Sequence, residues 1–458
     1  MILLYNNLTR KKQVFAPITP GKVDLYTCGP TVYDYQHIGN MRAYITWDIL
    51  KRFLTQQGYE VKHIMNVTDV GHLTDDADAG EDKIEVARKI ERSTAWQVAE
   101  KYFEAFKLGL TYINVVPAAK YVKATDEIKA MIDFVRKLEQ KGYLYKISDG
   151  MYFDTSKDPS YGKLGKIDLK GMRPGARVEV NQEKRNPTDF AVWKFSPKDE
   201  QRDMEWDSPW GKGFPGWHLE CSVIAMKYLG EKFDIHTGGI DHLTVHHPNE
   251  IAQSKAVTGE VPAQYWLHNN FINFQDKKMA KSAGTYVRLA DIYAGNVDPL
   301  AYRYYAMSTH YRKEIAYSWS AIQAAYQGLK NLYKEISFFS KPKIGCADFE
   351  KKFIDALSDD LNTAKALDIM HRLIKSSYPS GAKLKSLFMM DEVLGLRMKE
   401  EWKRRRTLPP SAIEILRQRE DARAHKEWDV SDALRDKLLD QGIEVMDTSE
   451  GQAAALSE

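Results

Sequence analysis

Val23 to Cys28 is a short, largely apolar run of strand character, broken by Gly29-Pro30. Beyond His37-Ile38-Gly39-Asn40 the period changes: Ala43, Trp47, Leu50 and Leu54 recur at helical spacing until Gly58 stops them. A second strand is predicted over Val61 to Thr68. Strand, helix and strand in this order seed a parallel sheet with a right-handed crossover, so the first domain is expected to be α/β. From about 117 to 215 the pattern is less regular and rich in turn signals such as Arg173-Pro174-Gly175, Asn186-Pro187 and Gly213-Phe214-Pro215. An insertion is expected there. The strand pattern resumes at Phe233 to His236, and a helix is predicted after Pro248, with His246 just outside it.

From about Ser320 to Met398 the chain turns helical, with Ala321, Ala324, Ala325, Leu329 and Leu332 on one face, which predicts a helix bundle. The basic run Lys403-Arg404-Arg405-Arg406 and Pro409-Pro410 read as a linker. Two helices over Ile413 to Leu439 and a strand at Ile443 to Val445 follow, and the small, polar Gly451 to Glu458 is expected to fray. The division is thus 1–319 with an insertion at about 117–215, a bundle at 320–400, a linker at 401–410 and a small terminal domain at 411–458.

Composition narrows the class without naming the chemistry. With 458 residues, 43% hydrophobic and 28% charged, the chain is long enough for several globular domains and far from disordered or fibrous compositions. No run approaches the ~18 apolar residues of a membrane span, and no signal-peptide core is present, so a cytoplasmic protein without a membrane partner is expected. Lysine and arginine number 66 against 63 acidic residues, so net charge alone announces no nucleic acid. Three cysteines cannot staple so long a chain and would remain thiols.

Three constellations carry chemistry. His37-Ile38-Gly39-Asn40 lies where a loop enters a helix, and unpaired helix N–H groups with a close-approach glycine suit a phosphate. Lys278-Met279-Ala280-Lys281-Ser282, followed by Ala283-Gly284, places two ammonium groups on a loop where they would neutralise a polyphosphate as its bond breaks. Cys28, Cys221, His246 and Glu250 are donors of the types zinc takes, though without the close pairs of a zinc finger, and packed core thiols are the competing reading.

The first two motifs, in this order and separation, resemble the HIGH and KMSKS signatures of class I aminoacyl-tRNA synthetases. Tyr26 to Asp34, Asn66-Val67-Thr68-Asp69, Gly216 to Cys221, His236 to Asp241, His246 to Ser254 and Asp359 to Thr363 extend the likeness to the cysteinyl-tRNA synthetases. That resemblance implies a Rossmann-like catalytic domain with an insertion, then an α-helical bundle contacting the tRNA stem and a small anticodon-binding domain. It puts one Zn²⁺ per chain on Cys28, Cys221, His246 and Glu250. Gly29, Thr68 and Trp217 would line the amino-acid pocket. His37, Gly39, Asn40, Asp241 and Lys281 would bind ATP, supplied with Mg²⁺, and His37, Asn40, Lys278 and Lys281 would be catalytic. The implied partners are tRNA(Cys), L-cysteine and ATP, and the implied state is a monomer.

Asn40 replaces a second histidine, Ala280 replaces the middle serine of the lysine motif, and the tail lacks the tryptophan and basic residues of many relatives. The implied reaction forms cysteinyl-adenylate and passes the acyl group to the tRNA 3′ end, with zinc choosing thiol over hydroxyl. Two other readings compete. A cysteine–amino-sugar ligase of the same ancestry would not need the Asp359 to Thr363 bundle or the Asp432 to Asp436 helix. A non-catalytic tRNA-binding or zinc-storage relative would not need His37 and Lys281. His247 and Cys346 have no assigned role, Cys346 reading as a packed or surface thiol.

Overall fold

The parallel pair expected from the first strands lies at the centre of a five-stranded sheet. The computed structural model describes residues 1–71, 73, 80–166, 181–197, 202–274, 286–448 and 451–457, with the backbone alone at 277–278. An antiparallel hairpin, β1 (Leu3–Asn6) and β2 (Lys11–Val14), opens the chain. Strand β3 (Lys22–Thr27), helix α1 (Ile38–Gln56) and strand β4 (Glu60–Val67) form the expected unit. Helices α2 (Lys83–Glu91) and α3 (Ala95–Tyr112) lead to β5 (Lys120–Lys123).

β5 pairs in parallel with β4, so the turn-rich stretch begins as the edge of the main sheet. Its lysine-rich, half-exposed pattern suits an edge and hides it from a search for apolar runs. After α4 (Ile128–Gln140), the strands β6 (Leu144–Ile147), β7 (Gly150–Phe153), β8 (Phe190–Phe195) and β9 (Gly213–Pro215) make a separate antiparallel sheet. The chain then returns through α5 (Trp217–Leu229), β10 (Phe233–Gly239), α6 (His246–Thr258) and β11 (Ala263–Asn269). The main sheet has the order β11-β10-β3-β4-β5, all parallel. Chain direction across the sheet reverses at β3, and the crevice beyond the carboxyl ends of β3 and β10 is where such sheets bind ligands.

His246 is the first residue of α6, inside the helix that the sequence had start after Pro248. Proline in the first turn removes an N–H that has no helical partner, so it does not displace the start. On α1, the guanidinium of Arg42 is buried and donates to the carbonyls of Asn270, Phe271 and Lys313 at 2.8, 2.6 and 2.7 Å. That anchors the helix beneath the loop leaving β11.

Short strands β12 (Ile272–Phe274), β13 (Lys277–Lys278) and β14 (Ile315–Tyr317) flank α7 (Leu289–Ala294) and α8 (Leu300–Met307). The chain divides into two compact units, Met1–Asp291 with Tyr311–Ala316, and Ile292–His310 with Tyr317–Glu458. In the second unit, α9 (Trp319–Ser337), α10 (Ala347–Ser358), α11 (Thr363–Ile374) and α12 (Ser380–Leu394) form the helical region. Helix α13 (Met398–Arg406) contains the basic run, which is therefore a helix end and not an extended linker. Cations are favoured at a helix carboxyl terminus, and Arg406 spends its charge on the carbonyls of Ser337 and Phe339.

Helices α14 (Pro410–Ala424) and α15 (Trp428–Leu439) precede a hairpin of β15 (Ile443–Thr448) and β16 (Gly451–Leu456). The tail expected to fray is thus a paired strand. Composition shows only alanines of low strand propensity, whereas the fold supplies partners. Ala454 and Leu456 pack on Ala412, Ile415, Leu438 and Ile443. The buried Arg419 guanidinium bonds Asp447 Oδ1 at 3.0 Å and Gln452 Oε1 at 2.9 Å, and Arg405 bonds the Ser457 carbonyl at 2.9 Å.

Deleting residues 451–458 should therefore destabilise the terminal module by about 2–4 kcal/mol, since it uncovers core and leaves buried guanidinium donors unpaired. The measurement is the urea midpoint at which the amides of α14 and α15 lose hydrogen-exchange protection. An unmoved midpoint would show that the strand contributes nothing.

Candidate functional site

A cavity of about 570 Å³ opens at the carboxyl ends of β3, β4, β10 and β11. Cys28, Gly29, His37, Gly39, Asn40 and Thr68 line one side, and Trp217, Cys221, Asp241 and His246 the other. Gly29 is obligatory: a Cβ there would sit 1.7 Å from the Asn66 carbonyl oxygen, and its N–H donates to Asn66 Oδ1 at 2.7 Å. The same Asn66 donates to Thr68 Oγ1 at 3.1 Å, and Thr68 Oγ1 donates to Glu220 Oε2 at 2.7 Å. This chain of bonds fixes the pocket wall between the ends of β3 and β4.

His37 is the amino-terminal cap of α1. Its Nδ1 accepts from the Asn40 N–H at 3.4 Å, while the His37 N–H donates to Asn40 Oδ1 at 3.3 Å. The capping and the ligand-binding readings of this histidine therefore coincide, because the capped helix end faces the cavity with the positive pole of its dipole. Ile38 N–H donates to the Val287 carbonyl at 2.8 Å, and His37 bridges to Arg288. Lys278 belongs to β13, antiparallel to β12 opposite Asn273. Lys281 lies outside the described residues, but the chain on its far side returns beside His37 and that on its near side leaves from Ile272 at the cavity edge.

At the cavity floor, Cys28, Cys221, His246 and Glu250 are all buried, and one donor atom from each lies within 4.8 Å of the others. They arrive from four places: the end of β3, the second turn of α5, and positions one turn apart at the start of α6. Glu250 Oε1 is buried and accepts no aligned hydrogen bond, although His246 Nε2 is 3.1 Å away. An ion among these four side chains would satisfy that oxygen, and two sulfurs with an imidazole and a carboxylate fit zinc. His218 Nδ1 holds His246 Nδ1 at 2.9 Å, and His236 Nε2 holds Glu250 Oε2 at 2.8 Å, so both donors are oriented from behind. Trp217 covers His246 with ring centroids 4.4 Å apart.

The charges of this cluster are far from ordinary. Burial opposes ionisation of Glu250, yet His236 and His246 outweigh it and bring the carboxyl down to about 2. Burial likewise opposes a charged His246, but Glu250 and Cys221 push it up to about 10. Burial and the neighbouring Cys221 raise the Cys28 thiol. Cys221 falls to about 6, because the hydrogen bond from Cys28 and the charge of His246 overcome burial. Burial and the surrounding histidines hold His247 and His268 well below the ordinary imidazole range, so both are neutral.

Sequence reasoning missed Glu220, His218, His236 and His268. Glu220, wholly buried beside Cys221, is raised well above the carboxylate range by burial and by that thiol. Histidines quoted only as parts of motifs, His218 and His236, prove to be partners of the donors. An unusual density of histidine between 218 and 268 was the available signal. Cys346 is buried in the second unit, its N–H donating to Ser386 Oγ at 2.6 Å.

Comparison with known proteins places the chain in a family. Residues 14–327 match a family model described as the class I (C) tRNA synthetase catalytic domain, 352–377 a DALR domain, and 405–453 a cysteinyl-tRNA ligase anticodon binding domain. Cysteine–tRNA ligase 1 of Burkholderia lata is 44% identical over 453 residues, covering 98% of this chain and 96% of the relative. The cysteine–tRNA ligase of Treponema denticola is 40% identical over 477, covering 96% of each. Two solved structures share the fold: Mycobacterium tuberculosis methionyl-tRNA synthetase with methionyl-adenylate and an Agrobacterium radiobacter LeuRS–tRNA–LeuAMS complex. Their TM-scores are 0.55 and 0.59, at 13% and 12% identity, over 83% and 85% of this chain and 91% and 86% of theirs.

The charge pattern makes metal binding by the metal-free protein a proton-releasing event. At pH 7.5 the raised Cys28 thiol and the His246 imidazolium each hold a proton that a metal must displace, while Cys221 and Glu250 are already ionised. Titration calorimetry in buffers of different ionisation enthalpy should report about two protons released per zinc ion. Release of none would show that the donors are not these four.

Proposed function

This chain belongs to the cysteine–tRNA ligases of the class I aminoacyl-tRNA synthetases, and from that premise we propose how its own residues choose and activate cysteine. It is an ATP-dependent ligase that joins L-cysteine to tRNA(Cys). The amino-sugar and non-catalytic readings give way to a full-length likeness that includes the anticodon-binding domain.

Cys28, Cys221, His246 and Glu250 would hold one zinc ion, which when bound would take the sulfur of cysteine as a thiolate and a serine hydroxyl only poorly. Such a bond is needed because an apolar pocket separates small groups by only about 10 to 200-fold, whereas a site made for one group reaches about 10⁴ to 10⁵. The single observation carrying this reading is the convergence of the four donors on the floor of the cavity that His37, Gly39 and Asn40 line. Gly29, Thr68 and Trp217 bound the amino-acid pocket. Thr68 gives its own proton to Glu220, so it meets the substrate ammonium as an acceptor.

ATP lies, in this reading, along His37, Gly39, Asn40 and Asp241, with Mg²⁺ on its phosphates. Asn40 Oδ1 is engaged by the cap, which leaves the Nδ2 hydrogens to donate to phosphate. A cysteine carboxylate oxygen attacks the α-phosphorus; the bond to the bridging oxygen breaks, and pyrophosphate leaves with that electron pair. The tRNA 3′-terminal hydroxyl then attacks the acyl carbon, loses its proton, and AMP departs. No protein nucleophile takes part. The chain contributes alignment and positive charge from the α1 terminus, Lys278 and Lys281.

The wider reading divides the protein into a catalytic part at 1–319, a stem-contacting bundle at 320–400 and an anticodon module at 411–458, working as a cytoplasmic monomer. Anticodon affinity would rest on the module's helices, because the tail strand is occupied in its core.

Purified protein should carry one zinc ion per chain, and Cys221→Ala should lower zinc content and abolish cysteine-dependent pyrophosphate exchange. Full zinc and full exchange in that variant would sink the zinc reading. Lys281→Ala should slow adenylate formation by about 10² to 10³ in single turnovers with zinc content and cysteine binding unchanged, as expected for charge neutralisation made in the transition state. An unaltered rate would remove Lys281 from the mechanism.

A further inference from the structure

His247 is wholly buried, and its Nε2 lies 3.3 Å from Cys28 Sγ. Two overlapping groups of donors surround that sulfur. One is Cys28, Cys221, His246 and Glu250; the other is Cys28, His236, His247 and Glu250. They share a thiol and a carboxylate, so an ion seated in one is withheld from the other. Which group takes the ion turns on which nitrogen of His247 carries the proton, because a metal needs the lone pair.

A backbone carbonyl decides the matter from outside the cluster. The Trp266 carbonyl accepts from Asn7 Nδ2 at 3.1 Å, so the Asn7 amide must turn its NH₂ to this side. The same Nδ2 lies 2.9 Å from His268 Nδ1 and spends its second hydrogen there. His268 Nδ1 is therefore an acceptor, and the one proton of the neutral ring sits on Nε2. That Nε2 is 2.8 Å from His247 Nδ1, which accepts in turn. The proton of His247 is left on Nε2, facing the sulfur.

We propose that Asn7, acting through His268, locks His247 as an N–H donor to Cys28 Sγ and so reserves the metal for the Cys221–His246 group. Asn7, His268 and His247 are positioning residues. An N–H directed at a thiolate draws charge from it and holds it still, and losing a partner of this kind costs metal sites about 10 to 100-fold in affinity. The pairing also explains why Asn7, in the turn of the amino-terminal hairpin, is tied to β11: its own N–H donates to the Trp266 carbonyl at 2.9 Å. The consequence for the metal rests on Cys28 being a ligand, as read above; the placement of the protons does not.

Two-bond ¹H–¹⁵N correlation spectra of the full-length, histidine-labelled protein as purified, assigned by substitution, read the protons directly. Both His247 and His268 should appear as Nε2–H tautomers. A His247 protonated on Nδ1 would overturn the proposal on the unaltered protein alone. Asn7→Asp keeps the shape but only accepts, so it should reverse the relay, moving the His247 proton to Nδ1 and weakening zinc binding about 10 to 100-fold against a competing chelator. His268→Gln, whose amide oxygen accepts from Asn7 and whose NH₂ donates to His247, should preserve both tautomer and affinity, whereas His268→Leu should not. Equal affinity in all three variants would overturn the proposal, since packing alone would not distinguish them. Wild-type protein without zinc, but with His247 on Nε2–H, would refute the zinc reading and leave the relay standing.

Discussion

Four ionisable side chains cannot be taken out of water within a few ångströms of one another unless each has a partner. That constraint shapes the catalytic unit. Cys28, Cys221, His246 and Glu250 meet behind the switch point of the sheet, and buried polar groups around them orient them. His218 steadies His246, His236 steadies Glu250, and burial with the neighbouring Cys221 pushes the carboxyl of Glu220 up. A single uncompensated charge here would cost several kcal/mol, a large part of a domain's net stability. The sheet order brings the ends of β3 and β10 together, and the donors exploit that junction.

The α1 end of the cavity obeys a milder version of the same rule. His37 and Asn40 first satisfy each other and the backbone of α1, and only then face the ligand. Asparagine at position 40 fits this arrangement well, since one amide offers both an acceptor for the cap and donors for a phosphate. A neutral second histidine also carries one acceptor and one donor, but with a single N–H and on nitrogens that point to different sides of the ring.

The sheet and the site were legible in the sequence to different depths. β3, α1, β4 and β10 declared themselves through period and turn residues, because their burial is one-sided or continuous. β5 did not, being short, lysine-rich and at an edge, and Pro248 hid the start of α6, which lies two residues before it. The terminal strand was read as a fraying tail because alanine carries no strand signal; its pairing depends on Arg405 and Arg419, which lie about 30 to 50 positions away. At the site, ligand types made the four side chains candidates and the family resemblance singled them out, but the groups that orient them were invisible. His236 and His268 act through contacts between strands, and nothing in their local sequence distinguishes a packed imidazole from a working one.

The bond between Asn7 and His268 spans 261 positions. Chains are synthesised from the amino terminus at about 5 to 20 residues per second, so His268 leaves the ribosome roughly 13 to 50 s after Asn7. For most of that interval Cys28 exists without Cys221, His246 or the ring of His247, as an unguarded thiol on a growing chain. The cavity is thus among the last parts of the catalytic unit to be completed, although its first residues are among the earliest made. A nascent chain halted anywhere in the inserted antiparallel sheet would carry Cys28 alone of the four converging side chains, open to whatever metal or oxidant its surroundings hold.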